Sequence, residues 1–144
     1  MDSENSPEKR CAPDERRAVA LILVIDDEPD TLTALKILLS LLGFRVVAAR
    51  NAREALEQIE VQRPDLIVTD NAMPSMSGLE LCRVLRAREA TRSIPIVMHT
   101  GMDLPDDGSR LYDRVMTKPI DIDAFMRAIE ALLPPESRPP PGLT

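Results

Sequence analysis

The chain has 144 residues, enough for one domain with a sizeable core and too few for a second of ordinary size. Its net charge of −6 argues against a nucleic-acid backbone or an anionic membrane surface as partner, because either needs a basic face. The longest apolar runs, Ala18 to Ile25 and Ile37 to Leu42, fall far short of the roughly 20 residues that span a bilayer.

Before the first element, Met1 to Arg17 is crowded with charge and lacks apolar periodicity. It is expected to be a disordered tail. The start MDSENSPEKR has no basic segment followed by an apolar stretch, so no secretory signal is expected and the chain is assigned to the cytoplasm. Cys11 and Cys82 are the two cysteines, one in this tail and one in a helical pattern, and both are expected to be plain thiols.

Leu21 to Ile25 is a continuous aliphatic run closed by acids, the pattern of a central parallel strand buried on both faces. After Pro29, which suits a first helical turn, Leu32, Leu35, Leu38, Leu39 and Leu42 recur at helical spacing until Gly43. Arg45 to Ala49 reads as strand 2, and Asn51 with Glu54 has the form of a capping box opening a short helix through Ile59. RPDLIVTD gives a strand ending at Asp70, followed by a loop through Pro74 and Gly78 and a helix carrying Leu79, Cys82 and Leu85.

Ile96 to Thr100 and Arg114 to Thr117 are strands 4 and 5. The final helix starts after Asp121 as N-cap and is expected to bury Ile122, Phe125, Met126, Ile129 and Leu132. The folded domain is placed at residues 18–133, and the Pro-rich 134–144, PPESRPPPGLT, is expected to be a second disordered tail. Strands and helices therefore alternate, which predicts an α/β fold: a doubly wound parallel sheet covered by helices on both faces.

In such folds ligands bind outside the carboxyl ends of the strands. Asp26 and Asp27 end strand 1, Asp70 strand 3, Thr100 strand 4 and Lys118 strand 5, so five polar side chains converge on one edge of the sheet. Taken singly, each has an ordinary reading: loop acids beside a helix N-terminus, a solvated lysine, a β-forming threonine. Together they describe chemistry. Clustered carboxylates repel one another unless a cation is present, and Mg²⁺ prefers oxygen ligands of this kind. The expected ligands are Asp27 and Asp70 directly and Asp26 mainly through water. Asp70 is then the nucleophile toward a phosphoryl group, with Lys118 and the Thr100 hydroxyl on its oxygens.

The motifs VIDDEP, TDNAMPSMSG, HTG and TKPI resemble, in order and spacing, the receiver domain of response regulators from two-component signalling. The resemblance covers roughly Leu21 to Leu133. It implies a flavodoxin-like strand order 2-1-3-4-5, Asp70 as phosphoacceptor, Thr100 as switch hydroxyl and Lys118 as phosphoryl contact. It also implies the backbone carbonyl of Ala72 as a further Mg²⁺ ligand and a cis peptide at Lys118–Pro119. The implied partners are a sensor histidine kinase or phosphotransfer protein and an unidentified downstream protein, without nucleic acid or membrane. The implied role is a single-domain phosphorylation-controlled binding switch rather than a small-molecule enzyme.

Two other uses are a phosphate sink or relay intermediate, and a phosphorylation-independent interaction module. A Mg²⁺-dependent small-molecule phosphatase fits less well, since no second acid/base follows Asp70.

The sequence departs from the family pattern between Thr100 and Lys118. GMDLPDDGSRLYDRVMT is short and has no apolar helical repeat, so the helix between strands 4 and 5, the family's helix 4, is expected to be shortened or absent. Val115 stands where the family normally has an aromatic residue coupled to the switch threonine. Ala72 and Met102, at positions that influence water attack on the aspartyl phosphate, carry no polar group, which predicts slow autodephosphorylation. His99, the one histidine, is expected to be packed or hydrogen-bonded rather than a ligand.

Overall fold

The computed structural model describes residues 19–101, 104 and 111–138. The expected N-terminal tail, with Cys11, lies outside these residues, as does Met102.

Five strands run in chain order as β1 (Leu21–Ile25), β2 (Arg45–Ala49), β3 (Leu66–Thr69), β4 (Ile96–Thr100) and β5 (Arg114–Thr117). Four α-helices are present among the described residues: α1 (Pro29–Leu41), α2 (Ala52–Val61), α3 (Gly78–Ala87) and α4 (Ile122–Leu132). All strand pairs are parallel, in the order β2-β1-β3-β4-β5. This is the expected flavodoxin-like sheet. No helix is described between β4 and β5, where the sequence lacks apolar periodicity.

The period-2 alternation of the central strands divides the core into two layers. Leu23, Ile25, Ile67 and Met98 pack with α2 and α3 through Ala55, Ile59, Leu81 and Leu85. Ile22, Val24, Val68 and Val97 face the other way, against Leu35 and Leu39 of α1 and Phe125 and Ile129 of α4. A strand buried on both faces favours apolar residues on both, which is why β1 reads as an unbroken run and β3 and β4 turn polar only toward their C-terminal ends. Leu104, Leu111 and Tyr112, from the segment between β4 and β5, pack against the α2/α3 layer.

Local signals differ in detail from the expected ones. Asn51 caps α2 by accepting from the Glu54 amide at 2.8 Å, but the Glu54 carboxylate reaches the amide of Arg50 rather than that of Asn51. A complete capping box occurs instead at Ser77 and Glu80, opening α3. Asp121 caps α4 as expected, accepting from Ala124. In α4, Phe125, Ala128 and Ile129 are buried and Met126 and Leu132 half-buried, whereas Ile122 is 51% exposed, so the expected inward face fails at its first residue. Ile122 lies in the first turn and lines a groove with α1 and Pro119.

Past α4 the chain stays in contact with the domain. Leu133 is buried, and Pro135–Ser137 form a 3₁₀ turn whose Ser137 carbonyl accepts from the Ala20 amide at 2.8 Å. The Arg138 guanidinium donates to the Glu130 and Leu133 carbonyls. Ser137 and Arg138 are thus hydrogen-bonded back onto the sheet and α4, with 134–136 exposed; 139–144 lie outside the described residues.

Candidate functional site

Sheet register brings the acids together. Ile25 pairs with Thr69 across β1 and β3, so the residues that follow, Asp26 and Asp70, leave neighbouring strands side by side. The Asp70 amide donates to the Ile25 carbonyl at 3.0 Å, extending the ladder by one residue. On the other side Thr100 pairs with Thr117, and the Lys118 amide donates to the Thr100 carbonyl at 2.9 Å. The five polar side chains expected at strand ends do share one edge.

Asp26 is 1% exposed and Asp70 6%, while Asp27 is exposed. Ligand atoms of the three carboxylates lie within 4.8 Å of one another. The Lys118 ammonium donates to Asp26 Oδ2 at 2.9 Å and to Asp70 Oδ2 at 3.3 Å, and stands 4.0 Å from Glu28 Oε1. The remaining oxygens are also held: the Glu28 amide donates to Asp26 Oδ1 at 2.9 Å and the Ala72 amide to Asp70 Oδ1 at 3.2 Å. Each buried carboxylate thus takes one backbone amide and a share of one ammonium. Burial works against the Lys118 charge, but its hydrogen bonds and attraction to Asp26, and then to Asp70, outweigh that and raise its pKa.

The loop after Asp70 is tied down by residues the motif reading did not single out. The Asn71 side chain accepts from the Leu79 amide at 3.0 Å and its carbonyl from the Gly78 amide at 3.0 Å. Gly78 lies so close to the loop that a Cβ would stand 2.3 Å from the Asp70 carbonyl oxygen. The signal for both was present in the sequence as Asn71 and the SG pair, but it reads equally well as a generic turn.

Thr100 is buried at 1% exposure at the end of β4. The peptide bond between Lys118 and Pro119 is cis. Ala72 is exposed, and Val115, on the edge strand, is 44% exposed. His99 is packed as expected but not hydrogen-bonded: it is 3% exposed, and neither ring nitrogen has a partner among the described residues. Cys82 is buried, and its thiol is pushed up to about 11 by burial.

The donor set tests whether Mg²⁺ fits. Three carboxylates with ligand atoms within 4.8 Å of one another, two of them already sharing a cation, are a hard-oxygen set of the type that ion prefers. The fit is good.

No described helix is long and apolar enough to cross a membrane. Comparison with known proteins matches residues 22–130 to the response regulator receiver domain. The alkaline phosphatase synthesis transcriptional regulatory protein PhoP of Bacillus subtilis is 38% identical over 75% of this chain, which spans 47% of that protein. Protein PilH of Pseudomonas aeruginosa is 30% identical over 80% of this chain and 98% of its own length. The response regulator protein TrrA from Thermotoga maritima, solved in complex with Mg²⁺ and BeF, superposes with a TM-score of 0.73 at 30% identity, covering 80% of this chain and 100% of that one. With the family match covering most of the chain and the strand order and acid edge agreeing with it, the chain belongs to the response regulator receiver domain family of two-component signalling.

Proposed function

We propose that this protein is a phosphorylation-controlled binding switch that accepts a phosphoryl group on Asp70 and signals through protein contacts. Receiver domains are signalling modules of two-component systems; they bind Mg²⁺ in an acidic pocket and interact with histidine kinases or phosphotransfer proteins. The observation that carries the reading for this chain is the Lys118 ammonium bridging Asp26 and Asp70 at the edge where Asp27 also stands.

Asp70 is the acceptor because its carboxylate ends β3 at the centre of the cluster, held by the Ala72 amide on one oxygen and Lys118 on the other. Transfer from a phosphohistidine breaks its P–N bond as an Asp70 oxygen bonds to phosphorus, and the electron pair leaves with the imidazole. Lys118 stays beside the incoming oxygens and stabilises the charge they gain. The Thr100 hydroxyl, at the end of the neighbouring strand, donates to one of them. Asp26, Asp27, Asp70 and the Ala72 carbonyl would hold Mg²⁺, which when bound neutralises phosphoryl charge and favours in-line transfer. A cytoplasmic location and a sensor kinase or phosphotransfer protein as donor follow from the same reading.

The test is intact-mass spectrometry of the protein and its Asp70→Asn variant after incubation with Mg²⁺ and acetyl phosphate. A single phosphoryl adduct on the parent, missing from the variant and lost in EDTA, is the expected result. An adduct of equal yield on Asp70→Asn would refute the assignment.

A further inference from the structure

A groove of about 630 Å³ runs between the first turns of α1 and the segment that follows Lys118. That volume is within the range of sites for small organic molecules. Its walls are apolar, with Leu35 and Leu38 on one side and Ile120 and Ile122 on the other, and Glu28 and Asp30 line it as well.

His99 also lines this groove. By strand alternation it shares the sheet face of Val97, which packs under α1 and α4. Buried polar groups are hydrogen-bonded as a rule, yet this 3% exposed imidazole has no partner on either nitrogen among the described residues. A half-turn about its Cβ–Cγ bond exchanges ring nitrogens with ring carbons, so the same site can present either to a molecule in the groove. Burial, and then the charge of Lys118, hold the imidazole below its ordinary pKa, leaving it neutral at pH 7 with one acceptor and one donor nitrogen.

The surrounding charge selects the ligand's sign. Of the charged residues that line the groove, Glu28 and Asp30 are acids and Lys118 is the base, and Lys118 is already within ion-pair distance of Asp26, Asp70 and Glu28. Asp30 makes no ion pair among the described residues. The partial positive charge at the N-terminus of α1 offsets only a fraction of this.

We propose that the groove is a binding site for a small organic amine. Its ammonium lies at Asp30 and Glu28, its apolar body between α1 and Ile120, and a ring or donor group against His99. The site is separate from the phosphoryl-accepting edge but shares Lys118 with it as a wall, so an occupied groove would influence the acceptor.

The chain has one histidine, so ¹⁵N-histidine labelling yields ring signals from His99 alone. Phenethylamine titrated into the full chain, without metal or phosphodonor, is expected to move those signals saturably with a midpoint on the order of millimolar, as a ligand of its size allows. Asp30→Asn is expected to weaken binding about threefold to tenfold. Ala34→Phe, which fills the groove from an exposed helix position, is expected to abolish it. Ring signals that do not move, a neutral 2-phenylethanol that binds equally well, or undiminished binding by Ala34→Phe would each overturn the proposal. So would an amphipathic Lys–Leu peptide that moves the ring signals where the free amine does not, since the occupant would then be a protein. The outcome is independent of whether Asp70 accepts phosphate.

Discussion

The Lys118 ammonium lies 2.9 Å from the Asp26 carboxylate, an ion pair in which the acid is 1% exposed and the base 23%. Because Asp70 shares the same ammonium, one side chain on the segment after β5 reaches the ends of β3 and β1, two and three positions away in the sheet order.

Removing that charge should cost stability, and the loss should be recoverable by metal. Breaking a fully buried pair costs about 3–5 kcal/mol; partial exposure of Lys118 reduces the expectation for Lys118→Met to about 1–3 kcal/mol. Mg²⁺ should stabilise the variant more than the parent, since the unpaired acids are then free to share it. Urea midpoints with and without Mg²⁺ check this, and equal shifts in both proteins would contradict it. The raised pKa of Lys118 means that its contribution is complete below the ordinary lysine value and is lost as pH climbs through the folded-state value.

His99 has the opposite linkage. Its folded-state pKa is lowered from 6.5, by burial first and Lys118 second. Below about pH 6.5 the unfolded chain therefore binds a proton that the folded chain does not, and stability falls with pH by at most about 1.4 kcal/mol per unit until the folded-state pKa is reached. Denaturation at pH 7 and pH 5.5 should show a larger difference for the parent than for His99→Leu. An identical difference in both would place the acid sensitivity elsewhere.

Gly78 is a packing constraint on the acceptor. A methyl group there would meet the Asp70 carbonyl at 2.3 Å and the Asn71 Cα at 2.9 Å, both backbone atoms that cannot swing aside. Gly78→Ala should cost roughly 1–3 kcal/mol by overpacking, despite the better helix propensity of alanine, worth about 1 kcal/mol. It should also slow adduct formation from acetyl phosphate, because the shift falls on the proposed acceptor. Unchanged stability together with an unchanged rate would show that the loop relaxes freely.

Arg86 clasps the base of the β4–β5 region. Its guanidinium donates to the carbonyls of Leu111, Arg92 and Ile94 and to the Asp113 carboxylate, which also accepts from the Ile96 amide at 2.8 Å. Arg86→Ala should cost about 2–4 kcal/mol. Arg86→Lys should restore little, since an ammonium cannot reproduce the planar fork. Hydrogen exchange at Ile96 and Asp113 should quicken in both variants; retained protection would mean that the sheet holds this end without the clasp.

The sheet and its acid edge were legible because their physics is local. A strand buried on both faces is largely apolar, so Leu21–Ile25 could be bounded to the residue and Ile96–Met98 marked the body of β4, and parallel topology then placed Asp26, Asp70 and Lys118 together. Arg86 was illegible for the converse reason. An arginine in a helical pattern looks like a solvated charge, and its four acceptors come from segments up to 27 residues away. The face of α4 was misread at Ile122 because helical spacing alone does not say what packs over a first turn. Ser137 and Arg138 were hidden by the proline content around them, which reads as tail until the Ser137 carbonyl is seen to meet Ala20.

That last contact fixes where the polypeptide departs from the domain. Ala20 immediately precedes β1 and Ser137 is fastened to it, so both ends of the described chain leave from the foot of the sheet while the acids crown its head. Five strand residues, roughly 16 Å of rise, separate the two. A fluorophore at Val19 or Arg138 therefore sits beneath the platform on which phosphate would be exchanged. Dyes at those two positions would register a loosening of the foot and stay blind to events above.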